Sequence, residues 1–291
     1  WMVTDFGSTA TRQTYGEKLT SGELLASYCL TESSSGSDAA ALNTKALLDG
    51  DHYVITGNKA FISGAGETDV LVVMARTGSA GSKGISAFVV DANSDGISYG
   101  RREDKMGWNA QPTRTINFDR VRVPIENLLG QEGEGFAIAM KGLDGGRINI
   151  ATVGIGTAQQ AMEDALTYVN ERKQFGKAIS EFQGMQFKLA DMNTELVAAR
   201  QMVRLAAFKL DSQDLDASTY CAMAKRFATD IGYKVCDEAL QCFGGNGYIK
   251  EFPMERYLRD SRVHRILEGT NEIMRVIIAR RILLADHQAI L

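Results

Sequence analysis

The chain has 291 residues, 44% of them hydrophobic and 23% charged, with a net charge of −4. That is ample apolar material for a large core and enough length for two domains. The acidic balance, with basic pairs only at Arg101-Arg102 and Arg280-Arg281, argues against a nucleic-acid binder, and no apolar run approaches the ~18 residues of a membrane-spanning helix.

The opening stretch WMVTDFG reads as the tail of an element begun upstream, and the chain as part of something longer. LLDGDHYVITG (47–57) sets Asp49-Gly50-Asp51 between two apolar runs, the signal of a tight hairpin. HYVITGNKAFIS continues it with another extended segment. TDVLVVMA (68–75) and GISAFVVD (84–91) are rich in β-branched residues and bounded by Gly or Ser, which is strand chemistry. Residues 26–130 are therefore predicted to form an antiparallel β domain, a barrel or a sandwich.

Past residue 131 the apolar period moves from two toward 3.6. A long helix is expected to run through ERKQF, loosened at Gly145-Gly146, followed by amphipathic helices over 182–212 and 216–243. The last of these should end at Gly244-Gly245 in a left-handed residue. Pro253 suits the first turn of a shorter helix. Thr270 is placed to cap a final helix through MRVIIARRILLA, with Glu272 in its first turn. Long helices with short loops predict an antiparallel bundle over 131–291, so the chain as a whole is expected to be α+β. Cys29, Cys221, Cys236 and Cys242 make no CxxC pair and read as thiols of a reducing compartment. His52, His264 and His287 are widely spaced, which argues against a metal site.

Four stretches stand out, each with a plain structural reading beside a functional one. CLTESSSGSDAA (29–40) leaves a strand and packs hydroxyls and glycine into a loop. It is either a surface loop or a set of donors for a polar or anionic ligand. QCFGGNGY (241–248) is either a helix stop or a backbone that a ligand approaches closely. ERKQFG (171–176) sets Arg172 at a helix end, for the helix dipole or for a phosphate. RILEGTNEIMR (265–275) places Glu268 among apolar neighbours at a Gly-Thr break, as a solvated carboxylate or as a base.

Together and in this order, these stretches resemble the signatures of the acyl-CoA dehydrogenase family, over the whole chain. KAFISGAGETD, GLDGGRINIA and RDSRVHRILEGTNEIMR look most like its isobutyryl-CoA dehydrogenase branch. The resemblance implies FAD, an acyl-CoA thioester, electron-transfer flavoprotein as acceptor, and a homotetramer built as a pair of dimers. It makes residues 1–25 the remnant of an N-terminal helical domain. Its setting would be fatty-acid or branched-chain amino-acid catabolism, in the cytoplasm of a bacterium or the mitochondrial matrix of a eukaryote. Carried over by position, Tyr28, Cys29, Leu30, Thr31 and Ser37, with Phe61, Ile62 and Ser63, would line the flavin. Arg172, Phe182, Gln183 and Gln241, Cys242, Phe243, Gly244 and Gly245 would hold the ADP half of a neighbouring subunit's FAD. Thr270, Asn271 and Glu272 would add contacts at a helix N-terminus. Asp144, Gly145, Gly146, Arg147 and Arg280 would meet the CoA portion, as would Ser37.

Three positions depart from common members. ESSSG stands where Pro-Gly often follows the Glu, Phe61 where tryptophan is common, and Leu267 where some straight-chain enzymes carry tyrosine. By the same resemblance Glu268 is the catalytic base. Its reference pKa of ~4.3 is low for that task, and apolar walls from Ile266, Leu267 and the acyl chain would raise it. Some members carry the base at the position matching Gly146, where a glycine cannot serve. The expected reaction forms a 2-enoyl-CoA from a short branched acyl-CoA such as isobutyryl-CoA. A 2-methylbutyryl or straight short acyl-CoA substrate, an oxidase, and a catalytically silent flavin-binding subunit remain alternatives.

Overall fold

The computed structural model describes residues 1–284. Its packing divides the chain into two compact units. Residues 1–105 and 109–142 form one, and Met106–Trp108 with residues 143–284 form the other.

The first unit is built on eight strands: β1 (Ala26–Cys29), β2 (Lys45–Asp49), β3 (His52–Ser63), β4 (Val70–Arg76), β5 (Ile85–Asp91), β6 (Ile97–Tyr99), β7 (Thr113–Pro124) and β8 (Leu128–Leu129). The expected hairpin forms: Asp49 pairs with His52 across Gly50-Asp51, and Gly50 takes φ +65°. In β4 and β5 the first six residues are all buried, so these central strands have both faces covered and show no alternation.

The sheet runs β6-β7-β3-β2-β4-β5-β8 with open ends, and is not closed into a barrel. It is also mixed rather than purely antiparallel, because β1 lies parallel to β4. β7 has no counterpart in the sequence reading. Its TRTINFDRVRVP carries charges that mask the strand, yet it pairs with β3 along nearly its whole length. Upstream of the sheet, WMVTDF contributes a short helix, Met2–Phe6.

The second unit is helical, with α1 (Gly135–Glu171), α2 (Gln183–Asp211), α3 (Ala217–Phe243), α4 (Met254–Ser261) and α5 (Asn271–Leu284). The first turns of α1 belong to the first unit. Gly145-Gly146 do not loosen α1, which is continuous over 37 residues; packing on its neighbours outweighs the cost of about 1 kcal/mol per glycine. Alanines dominate the core where the helices meet: Ala151, Ala158, Ala161 and Ala165 on α1, Ala199 and Ala206 on α2, and Ala224, Ala228 and Ala239 on α3.

The glycine after α3 has the expected positive φ, but its ψ of −134° lies outside the left-handed helical region. Gly245–Tyr248 then forms one further helical turn. The four cysteines are unpaired and buried. His287 lies outside the described residues.

Candidate active site

Glu268 sits where the chain turns from α4 into α5. A 3-10 turn over Arg262–Arg265 ends with Ile266 and Leu267 both donating their amides to the Val263 carbonyl, at 2.8 and 3.0 Å. The chain then reverses through two left-handed residues, Glu268 at φ +55° and Gly269 at φ +87°. A non-glycine residue there costs about 1–2 kcal/mol, and such strain is concentrated at functional sites. Thr270 restarts the helix as expected, its Oγ1 accepting from the Ile273 amide at 3.3 Å.

The Glu268 carboxylate lies against α1. A Cβ built on Gly146 would stand 2.5 Å from Oε2 and 3.0 Å from Cδ. The absent side chain at 146 is what leaves room for this carboxylate. The expected wall of Ile266 is not what buries it, since Ile266 is 52% exposed.

Next along α1, Arg147 is buried and donates to Asp144 Oδ1 at 2.6 Å. Ser218 Oγ of α3 donates to the same oxygen at 3.0 Å. The Arg147 Nε is buried without a hydrogen-bond partner among the described residues. Lys225 of α3 is fully buried. Its Nζ donates to the Gly269 carbonyl at 2.7 Å and to Asn271 Oδ1 at 2.9 Å. Burial pushes the Glu268 carboxyl above the usual range, and the Arg147 and Lys225 charges oppose it. Burial lowers Lys225 to about 8, against the pull of Glu268. Asp144 is likewise raised by burial, with Arg147 opposing. Four residues before Glu268, His264 is buried edge-on to Trp108, and burial lowers it to about 4.

A second surface lies in the first unit, around the loop after β1. The Thr31 carbonyl accepts from the Ala60 amide at 2.9 Å. There β3 is bulged between Lys59 and Ile62, and the bulge re-aims one side chain. Phe61 takes φ +56° and is 68% exposed. Ser63 is exposed, and its carbonyl accepts from Ser27 Oγ at 2.7 Å.

Cys29 and Ile62 belong to the β core, and Leu30 is also buried, so these three can present only backbone here. Ser37 is exposed and Tyr28 half-buried. Beneath the loop is a pair that the sequence reading missed. Fully buried Lys59 donates to Glu32 Oε1 at 2.8 Å and to the Leu30 carbonyl at 3.0 Å. Glu32 in turn accepts from the Asn43 and Thr44 amides at 2.7 and 2.9 Å. The hydroxyls of half-buried Thr31 and exposed Ser63, beside the projecting ring of Phe61, suit a flat, polar heteroaromatic ring such as that of FAD, and Ser37 is exposed further along the loop that Thr31 begins.

The residues expected to hold a phosphate-bearing half-cofactor gather at the opposite end of α1. Arg172 follows α1 directly and is exposed, its carbonyl accepting from Ile179 at 2.8 Å. Phe182 and Gln183 start α2, and Gln241 and Gly244-Gly245 end α3. Cys242 and Phe243 point into the core, where Phe243 stacks on Tyr168 at 4.1 Å. Between Arg172 and Phe182, Phe175 projects with 93% of its surface exposed. Asn271 is buried, its amide donating to Thr229 Oγ1 and Asp230 Oδ1 at 3.0 and 2.9 Å. Glu272 and Arg280 are exposed on α5.

Comparisons with known proteins identify the family. Residues 133–283 match the family profile described as acyl-CoA dehydrogenase, C-terminal domain, and residues 27–121 the one described as acyl-CoA dehydrogenase, middle domain. The chain is 52% identical over 287 residues to the mitochondrial isobutyryl-CoA dehydrogenase of Dictyostelium discoideum, covering 98% of this chain and 69% of that protein. Butyryl-CoA dehydrogenase from Megasphaera elsdenii superimposes with a TM-score of 0.95 at 40% identity, over 97% of this chain and 74% of that one. A structure described as an electron transferring flavoprotein of Acidaminococcus fermentans matches equally well, with a TM-score of 0.95 at 44% identity over 98% and 75% of the two chains. With a half-buried glutamate poised on a strained turn and both family profiles matched in order, this chain is an oxidoreductase of the acyl-CoA dehydrogenase family.

Proposed function

We propose that this protein is an FAD-dependent dehydrogenase of a short branched acyl-CoA, with isobutyryl-CoA as the first choice, and that Glu268 is its base. The observation that carries this is the Glu268 carboxylate itself, held on a left-handed turn against Gly146 in surroundings that raise its proton affinity. A thioester α-proton is weakly acidic, and a carboxylate made more basic by burial matches it better than one in water. Glu268 takes the α-proton, and the β-hydrogen leaves as hydride, giving the 2-enoyl-CoA. The acceptor chemistry for that hydride is supplied by FAD when bound. Buried Arg147 keeps a positive charge beside the base. Thr31, Ser37, Phe61 and Ser63 hold and orient the flavin from the first unit.

Arg172, Gln183 and Gln241 to Gly245 serve a different cofactor molecule from the one Glu268 works with. From Gly146 to Glu171, α1 rises by roughly 38 Å, beyond the reach of a single dinucleotide. That separation supports an assembly in which each subunit lends this end to a neighbour's FAD, and the family resemblance makes that assembly a homotetramer. Electron-transfer flavoprotein is the proposed acceptor. The branched substrate is favoured by 52% identity to an isobutyryl-CoA dehydrogenase, against 40% to a butyryl-CoA enzyme. Leu267 beside the base is consistent with a compact acyl group.

The test is anaerobic flavin bleaching with isobutyryl-, 2-methylbutyryl-, butyryl- and octanoyl-CoA, followed by kcat/KM with one common acceptor. Isobutyryl-CoA should lead. One misfitting methylene is worth only about 1–3 kcal/mol, so the order should be graded. A lead for octanoyl-CoA rejects the substrate assignment, and a yellow protein that no acyl-CoA bleaches rejects the activity.

A further inference from the structure

Proton abstraction by Glu268 does not by itself require a buried lysine nearby, yet Lys225 is fully buried on α3. A buried ammonium is strongly unfavourable unless its hydrogen bonds are met, so its acceptors are informative. They are the Gly269 carbonyl at 2.7 Å and Asn271 Oδ1 at 2.9 Å, the residues that flank Thr270. Two consecutive left-handed residues turn the Gly269 carbonyl inward, where it needs a donor. Asn271 is itself tied to Thr229 and Asp230 of α3, the helix that carries Lys225. The turn is thus fastened to α3 through one ammonium and one amide. The charged groups acting on Lys225 are Glu268 from the turn, Arg147 from α1, Asp230 from its own helix and Glu272 from α5. His264 also feels it.

Building on the reading of Glu268 as the base, we propose that Lys225 is a positioning residue for it: the ammonium holds the Glu268–Gly269 turn left-handed and thereby keeps the carboxylate against Gly146. Without that hold, Glu268 can relax toward an ordinary backbone conformation and swing its carboxylate away. An error of about 1 Å at a reacting group can cost ~10²-fold in rate. The same positive charge favours the ionised carboxylate, so its removal also makes the base easier to protonate.

The test compares Lys225→Met and Lys225→Gln in the FAD-loaded enzyme, at matched flavin content, with the best acyl-CoA. Lys225→Met should lower kcat by ~10²-fold while KM stays within a few-fold. Lys225→Gln keeps a donor one bond shorter than the lysine and should recover part of that loss. Both changes remove the cation, so both should move the acid limb of the kcat profile to higher pH. Hydrogen exchange of a peptide covering 266–272 should be faster in Lys225→Met than in the unmodified enzyme, with a peptide covering 85–91 unchanged. Unmodified kcat, pH profile and exchange in Lys225→Met would overturn the proposal. If neither variant folds, Asn271→Ser removes the second acceptor of the ammonium; it should lower kcat and speed the same exchange, and no change in either overturns the proposal too. Glu268→Gln separates the two readings. If it retains turnover, Glu268 is not the base, while the exchange comparison still reports whether Lys225 holds the turn.

Discussion

Replacing Gly146 with alanine should lower activity while leaving the fold as stable as before or more so. An ideal Cβ at 146 stands 2.5 Å from Glu268 Oε2, and an ordinary contact is roughly 3.5 Å. The carboxylate must therefore retreat by about 1 Å. It can, because the clashing atoms are the far end of a flexible side chain. A displacement of that size should reduce kcat by ~10–10²-fold. Glycine to alanine inside a helix stabilises by about 0.5–1 kcal/mol, so thermal unfolding should hold or rise as kcat falls. Glu268→Gln keeps the shape but removes the base, and should lose ~10²–10⁴-fold without releasing flavin. Glu268→Gly combined with Gly146→Glu brings a carboxylate from α1 into the vacated space and should regain part of the activity lost in Glu268→Gly. Each variant is read by anaerobic flavin bleaching, steady-state kcat and a melting curve. Full turnover in Glu268→Gln refutes the base assignment, and full turnover in Gly146→Ala refutes the claim that the carboxylate works where it rests against α1.

Glu32→Ala strands the fully buried Lys59 and should cost about 3–5 kcal/mol; an unchanged urea midpoint would contradict this. His264 is neutral in the folded protein and titrates near 4, below its unfolded value of ~6.5. Its contribution is therefore fully present above pH ~6.5 and is lost as the unfolded chain takes up a proton between ~6.5 and 4, by up to about 3 kcal/mol. His264→Phe should flatten the pH dependence of the melting temperature across that range, and an equally steep dependence in the variant would rule this out. Arg172→Ala removes a proposed charge-assisted contact to phosphate worth roughly 1.5–3 kcal/mol, so FAD should dissociate at least ~10-fold more readily by fluorescence titration. Sedimentation showing a monomer that keeps its full FAD would count against the shared site.

Much of this protein is legible in the chain itself. Strong local signals carried the hairpin at Gly50, the buried runs at β4 and β5, the helices from residue 135 onward, and the Thr270 cap. The EGT turn could be singled out because a carboxylate among apolar residues breaks the local pattern. A different sign existed for Lys225. It interrupts the apolar stripe of α3 between Cys221, Ala224 and Ala228, where a lysine has no place without a partner. That partner is a backbone carbonyl 44 residues away, which no periodicity reports.

Tertiary structure decided the rest, because each remaining feature joins residues distant along the chain. The parallel pairing of β1 with β4 depends on segments separated by a whole hairpin, and β7 becomes a strand only when β3 offers its edge. The helix through Gly145-Gly146 stays continuous because packing outweighs propensity. Ile266 and Leu267 looked like the walls of the base, yet Ile266 faces out and the carboxylate meets Gly146 of another helix. The sequence determined which residue is the base candidate, since the side chain's chemistry and the turn residues beside it are local. Its basicity and its aim came only with the fold. Both depend on the water excluded and the charges brought near by helices that the chain order keeps far apart.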